Sequence, residues 1–454
     1  MAARMAGRPF GRAIAVVAIA LLAISGAPAK AVTIQPVTSP GGITAWLVED
    51  HANPIIALNF AFRGGAALDP AGKEGLAEIV SGLLDEGAGD LDSQAFRRRL
   101  DELALTLSFD SGMDTFRGRV KTLTRNRDEA FDLLRLAMTE PRFDEEPVRR
   151  VRDQILTILK RSASDPDRLA SRNWWGSVFA GHPYGRPTRG TEESVNAITV
   201  ADMRGFVARR LARDNLVIGV AGDITAAELG ALLDATFGDL PAAAAPVDVA
   251  EVAPGAAGEV ILVPQPNPQS TVVFGHGGVK RDDPDYYAAY VMNYVLGGGG
   301  FSSRLYAEVR EKRGLAYSVY SYLSPLDHAG VVIGGVGTAN ERVGQSIDII
   351  RSEWRRMAAE GPTEAELDAA KTFLTGSFPL RLSSTSAISG MLVGIQMEDL
   401  GIDYLDRRND YIEAVGPDDT RRVARRLLDA EALTFVVVGQ PEGITATRTI
   451  DAPS

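Results

Sequence analysis

The chain has 454 residues, 45% of them hydrophobic, enough for two to four domains with sizeable cores. A formal net charge of −11 argues against holding a phosphate backbone, so nucleic acid is not an expected partner. Cysteine is absent, which excludes disulfides, iron–sulfur clusters, thiol nucleophiles and cysteine-ligated zinc.

Residues 1–31 read as a secretory signal peptide. Arg4, Arg8 and Arg12 form a basic start, "AIAVVAIALLAISGA" is an apolar stretch, and "AKA" at 29–31 is a small-x-small cleavage site. The apolar run is shorter than the roughly 20 residues of a spanning helix, so cleavage is expected, with no stable membrane insertion afterwards. The mature chain would carry 44 basic against 59 acidic residues, a charge of −15. Its expected destination is periplasmic or secreted.

Strands follow in "ITAWLVED" (43–50) and "IIALNFAFR" (55–63), which alternate or run apolar. "GLAEIVSGLLDEG" (75–87) reads as an amphipathic helix whose Leu76, Ile79, Val80, Leu83 and Leu84 pack into a core. Asp85 and Glu86 are expected at its solvated end, because adjacent helical residues do not face each other. "DSQAFRRRLDEL" (92–103) is the next helix, "LTLSFDSG" (105–112) and "TFRGRVKTL" (115–123) a strand pair. Two long helices cover 126–140 and 144–162, the second stopping near Asp165 and Pro166. The second half repeats the order with strands at 259–266 and 270–277, a helix at 286–297, strands at 316–323 and 330–337, then mostly helices. Grouped strands followed by runs of helices predict an α+β sandwich rather than a doubly wound sheet.

The halves are related by duplication. "AITVADMRGFVARRLARDNLVIGVAGDI", from Ala197, and "AVGPDDTRRVARRLLDAEALTFVVVGQP", from Ala414, share helix, turn, β-branched strand and glycine at a constant offset of 217. "FDLLR" at 131 and "IDIIR" at 347 keep an offset of 216. Two homologous domains are therefore expected, 32–237 and 260–445, with a tail at 446–454. The Ala/Pro-rich segment 238–259 reads as a linker that lets the lobes fold face to face around a chamber.

Four segments carry a resemblance to a known family: "RGGAALDPAGKEGLA" (63–77), "FAGHPYGRPTRGTEESVNAIT" (179–199), "DNLVIGVAGDI" (214–224) and "LGGGGFSSRLYAEVREKRGLAYSV" (296–319). On these the chain resembles the insulinase/pitrilysin and mitochondrial processing peptidase family over essentially its whole mature length. The resemblance implies paired α/β-sandwich domains forming half of a clamshell, usually completed by a second half. Active members carry His-x-x-Glu-His after the "GLA" turn, two histidines for zinc and a glutamate that activates the bound water. Here the histidine positions hold Glu78 and Gly82, and the base position holds Ser81. The distant glutamate ligand should stand near Thr157 and Ile158, neither of which has a carboxylate. All four groups are gone together, so this chain is expected to bind no cofactor, and zinc is expected in a partner subunit.

The remaining histidines, His51, His182, His276 and His328, form no ligand pair; His182, in "HPYG", is expected to shape a turn. The resemblance also implies that Arg310 and Tyr317 reach a partner's zinc centre and hold the scissile carbonyl and its developing oxyanion as preorganised donors. Gly297, Gly298, Gly299 and Gly300 are followed by no Gly-Lys-Ser/Thr, so they are read as a flexible substrate-facing loop. The strand with Leu105 and Leu107 lies where family members add a substrate peptide to a sheet edge. The expectation is a non-catalytic subunit of a heterodimeric zinc peptidase acting on peptides. The alternatives are a structural or chaperone-like homologue, and an independent metallopeptidase with an unrecognised site.

Overall fold

The computed structural model describes residues 32–451, so the expected signal peptide lies outside the described residues. The alternating and apolar runs become two six-stranded mixed sheets. The first contains β1 (Gln35–Thr38), β2 (Thr44–Glu49), β3 (Ile55–Arg63), β4 (Thr106–Ser111), β5 (Thr115–Leu123) and β6 (Leu216–Gly222), in the order β1-β2-β6-β3-β5-β4. The second contains β7 (Val260–Pro264), β8 (Gln269–Gly277), β9 (Ala316–Pro325), β10 (Gly330–Ala339), β11 (Thr434–Gly439) and β12 (Arg448–Thr449), in the order β12-β7-β11-β8-β10-β9. The last five strands of one order map onto the last five of the other. β6 and β11 both end on a glycine with positive φ, Gly222 and Gly439, at the offset read from the sequence.

Helices α1 (Leu76–Ser81), α2 (Ser93–Glu102), α3 (Arg127–Thr139), α4 (Glu145–Ser162), α5 (Pro166–Val178), α6 (Glu192–Ala197), α7 (Val200–Arg210) and α8 (Ala226–Phe237) belong to the first half. The second half supplies α9 (Tyr286–Asn293), α10 (Val343–Glu360), α11 (Glu364–Gly376), α12 (Thr385–Met397), α13 (Tyr404–Glu413) and α14 (Pro417–Leu427). Four of them, α6, α7, α8 and α11, start on a threonine whose hydroxyl caps the third helical N–H while that residue's side chain caps the threonine N–H. Such a cap stabilises a helix by about 1 kcal/mol.

Each sheet buries one face against its own helices. In the first half Ile56, Leu58, Phe60 and Phe62 of β3 pack with Phe131 and Leu134 of α3 and Leu233 and Phe237 of α8. Phe60 lies across Gly118 of β5, where a Cβ would fall 2.0 Å from the ring. Phe274 and Gly334 repeat the pairing in the second half.

The other face of each sheet is covered by a helix from the opposite half. α5 packs on β8 and β11, and α12 packs on β3 and β6. Trp174 of α5 is fully buried among Ile261, Ile333 and Val436, and its indole N–H donates to the Thr434 carbonyl at 3.3 Å. In return Val393 and Met397 of α12 sit on Ala61 and Val217. Gln396 donates to the Ile218 carbonyl at 2.9 Å, and Arg63 of β3 donates to the last carbonyls of α12, Gln396 and Met397, at 3.0 and 2.8 Å. A cation is well placed at that negative helix end. The lobes are thus interlocked by an exchange that the sequence pattern does not disclose.

Candidate functional site

The α1 region is built from the loop before it. Buried Asp69 accepts from the Gly75 and Ala77 N–H groups at 2.9 and 3.0 Å, capping α1 from outside the helix. Its pKa is pushed up to about 7, chiefly by burial against the opposing backbone hydrogen bonds. Lys73 pairs with Asp202 at 2.9 Å, and Gly75 turns with φ 94° into the helix. The "RGGAALDPAGKEGLA" segment therefore has a structural task independent of any metal.

The helix is shorter than expected. It ends at Ser81, with Gly82 as its cap, and continues as turns. This corrects the solvated end expected for Asp85 and Glu86. Glu86 is 4% exposed and is held by Ser93, Arg97 and Arg150, the last at 2.6 Å. Burial alone would raise its pKa, but these partners hold it below the usual carboxylate range. Asp85 is pushed up to about 6 by burial and by neighbouring Glu86. Because α1 stops early, the chain turns inward beneath α2 and α4.

At the first histidine position, the Glu78 carboxylate accepts from Arg189 Nε at 2.9 Å and from the Ser111 hydroxyl of β4 at 3.3 Å. Ser81 is buried and its hydroxyl returns to the Glu78 carbonyl at 2.8 Å. At Gly82 a Cβ would sit 3.1 Å from Val151 Cγ1, so α4 has packed into the space a side chain would need. Thr157 and Ile158 are exposed on α4, and the Thr157 hydroxyl bonds back to Asp153 O at 2.7 Å. The residues at these four positions do not fit zinc: one carboxylate is committed to an arginine and the others offer no ligand. Among the described residues no group of three or more His, Asp or Glu could hold a metal ion. Arg189, the partner of Glu78, lies inside one of the segments that carried the resemblance, but no spacing in the sequence links the two.

The histidines are structural or solvent-facing. His182 accepts from the Tyr184 N–H at 3.2 Å and lies 2.9 Å from the Ala250 carbonyl. His276 is buried; the Trp354 indole donates to its Nε2 at 2.8 Å, and burial lowers its pKa. His51 pairs with Asp223, and His328 lies 3.4 Å from Glu251.

In the second half, Tyr294–Gly298 continues α9 as a π-helical turn, and Tyr306–Glu311, which carries Arg310, is another. Such widened turns occur frequently at functional sites. The loop expected over Gly297–Gly300 is helical at Gly297 and Gly298. Gly297 is buried against β9, where a Cβ would fall 2.3 Å from Ser321 Oγ. Asn293 and Ser321 lock that contact with bonds of 3.1 and 2.8 Å. Gly298 is wound into the same turn, and Gly299 and Gly300 lead to the next one. The glycines serve a close helix–strand approach. Leu105 and Leu107 are buried in the first core, so edge strand β4 offers main-chain groups outward rather than these side chains.

Arg310 and Tyr317 stand together. The guanidinium donates to the Tyr317 carbonyl at 2.7 Å and stacks 4.5 Å from the Tyr317 ring and 4.9 Å from Tyr306. Tyr317 is 81% exposed, and among the described residues Arg310 has no carboxylate partner. Arg304, in the same motif, does different work: it is 7% exposed and bonds Glu366 at 2.7 and 2.6 Å and the Gly361 carbonyl at 2.9 Å.

A duplicated α+β fold with an ion pair and a packed glycine at the positions of a zinc helix defines a peptidase homologue without the catalytic metal set. Residues 197–374 match the family described as the peptidase M16 inactive domain. The chain is 29% identical over 414 residues to the non-peptidase homolog YmxG of Helicobacter pylori, covering 91% of this chain and 95% of that one. An uncharacterized zinc protease of Streptomyces coelicolor is 28% identical over 432 residues, with 92% of each chain covered. Among solved structures, a peptidase M16 inactive domain from Pseudomonas fluorescens superposes with a TM-score of 0.84 at 26% identity, covering 91% of this chain and 99% of that one. Over about nine-tenths of its length the chain is thus similar to peptidase M16 homologues, while the positions of the inverted zinc motif hold Glu78, Ser81 and Gly82.

Proposed function

We propose that this chain is the non-catalytic subunit of a heterodimeric, periplasmic insulinase-like metallopeptidase. A homologous partner supplies zinc, which activates water for peptide hydrolysis. This chain contributes half of the chamber wall and the Arg310–Tyr317 pair. The observation that carries the reading is that pair: an arginine with no carboxylate partner among the described residues, stacked on a tyrosine that is 81% exposed. A guanidinium and a phenol O–H so arranged supply the fixed donors that a developing oxyanion needs opposite the metal. The Gly297–Ser321 contact supports it by bracing β9, the strand that carries Tyr317.

The test is Arg310→Ala in the reconstituted pair. Loss of one oxyanion donor predicts a fall in kcat of about 100-fold with the pair still assembled. An unchanged kcat would instead favour a scaffold or chaperone-like role, the alternative in keeping with the non-peptidase name of one relative. The isolated chain is expected to be inert. Chelator-sensitive hydrolysis by the chain alone, with stoichiometric zinc, would overturn the proposal.

A further inference from the structure

We propose that the groove between β5 and α12 selects acidic, extended peptide segments. The inference rests on the reading that this chain walls a peptide chamber. The groove has a volume of about 850 Å³, with β4 and β5 as its floor and the exchanged helix α12 as one wall. Arg117, Arg119 and Lys121 of β5 all line it. They occupy alternate positions, so all three lie on one face of the strand and all are exposed. Small or polar residues surround them: Ala57, Asn59 and Ala61 on β3, Thr106, Ser108 and Asp110 on β4. Only Arg119 is paired, with Asp110 at 3.1 Å, and among the described residues Arg117 and Lys121 have no ion-pair partner.

Two further facts make this more than a solvated face. The chain as a whole carries −11, so three cations along one concave strip run against its overall charge. The duplication provides an internal comparison as well. An offset of 216 sends Arg117, Arg119 and Lys121 to Ile333, Gly335 and Gly337 on β10, which has the same place in its sheet. The fold therefore does not require cations there. Alternate residues on a strand repeat at about 6.7 Å, and an extended peptide has the same repeat. Carboxylates at every second position of a bound peptide would match the cations one for one. Charge complementarity of this kind sets specificity and on-rate more than raw affinity.

The experiment measures fluorescence anisotropy of the full chain with a labelled peptide alternating Thr and Asp. Controls are the same peptide with Asn or Lys in place of Asp. The expected result is binding of the Asp peptide alone, lost near 1 M salt, where the Debye length is about 3 Å. Arg117→Gln with Lys121→Gln should weaken it roughly tenfold. Arg117→Glu with Lys121→Glu should transfer the preference to the Lys peptide. These exposed positions leave the thermal unfolding of the variants as a control for folding. Equal binding of the Asp and Asn peptides, no binding, or binding of anionic vesicles in place of the peptide would each overturn the inference. Charge-dependent binding in a pair that hydrolyses nothing would refute the proposed function and leave this inference standing. Hydrolysis without charge-dependent binding would do the reverse.

Discussion

Glu78 and Gly82 close a metal site in two different ways. Glu78 still has oxygen to offer, but Arg189 and Ser111 hold its carboxylate. Gly82 has nothing to offer, and Val151 of α4 fills the space beside it. Restoring the motif with Glu78→His, Ser81→Glu and Gly82→His should therefore fail to yield stoichiometric zinc on dialysis and elemental analysis. The histidine at 82 would press on Val151, whose methyl must yield by a few tenths of an ångström, and Thr157 and Ile158 supply no third ligand. Full zinc occupancy of this variant would show that the site is latent rather than lost. Asp69 gives a second residue-scale prediction. Its folded pKa of about 7 stands above the ordinary 3.8, so the folded chain holds this proton more tightly than the unfolded one. The stabilisation is full below about 3.8 and is lost as pH rises through about 7. Asp69→Asn should flatten that part of the stability profile, as measured by urea midpoints at several pH values.

At the scale of elements, the exchanged helices decide how the halves hold together. α12 lies so close to β6 that a Cβ on Gly219 would fall 2.4 Å from the Ser389 carbonyl and 2.7 Å from Leu392 Cβ. Gly219→Ala should lift α12 and destabilise the chain by roughly 2–3 kcal/mol, measured by denaturant unfolding. The effect belongs to the contact between the halves, so probes in both should report the same shift. Arg304 and Glu366 hold a neighbouring junction, where α11 meets the segment before Arg310. Glu366 is lowered to about 2 despite burial, through Arg304 and its own role in the Thr363 capping box. That contribution is complete above about 4.5 and is lost only as pH falls through about 2.

At the scale of the molecule, interlocking means that neither half closes its own surface. The outer face of the first sheet needs α12, and the outer face of the second needs α5. Trp174, Leu169 and Val178 would be left uncovered if 32–237 stood alone. Expressed separately, the segments 32–237 and 260–445 should aggregate or bind ANS without a near-ultraviolet signal. Co-expression should recover a folded complex. A cooperatively folded, monomeric 32–237 would refute this dependence. The Tyr184 hydroxyl tightens the same junction: it donates to Asp114 at 2.9 Å and accepts from the His328 N–H at 3.0 Å.

Residue identity and period disclosed the repeat, most strands of each half, the resemblance to a peptidase family, and the lack of zinc ligands at the motif positions. These are local properties. A glycine has no donor wherever it lies, and an alternating run makes a strand with one buried face. Tertiary structure alone decided that Glu86 is buried and that Gly297 is wound into a helical turn against β9. It also decided that Arg189 answers Glu78, that three cations of β5 line one groove, and that α5 and α12 trade places. Each of these depends on which distant segment lies against a residue. A helix pattern shows that a face is apolar, but many apolar faces could cover it, and nothing in the period names the one that does.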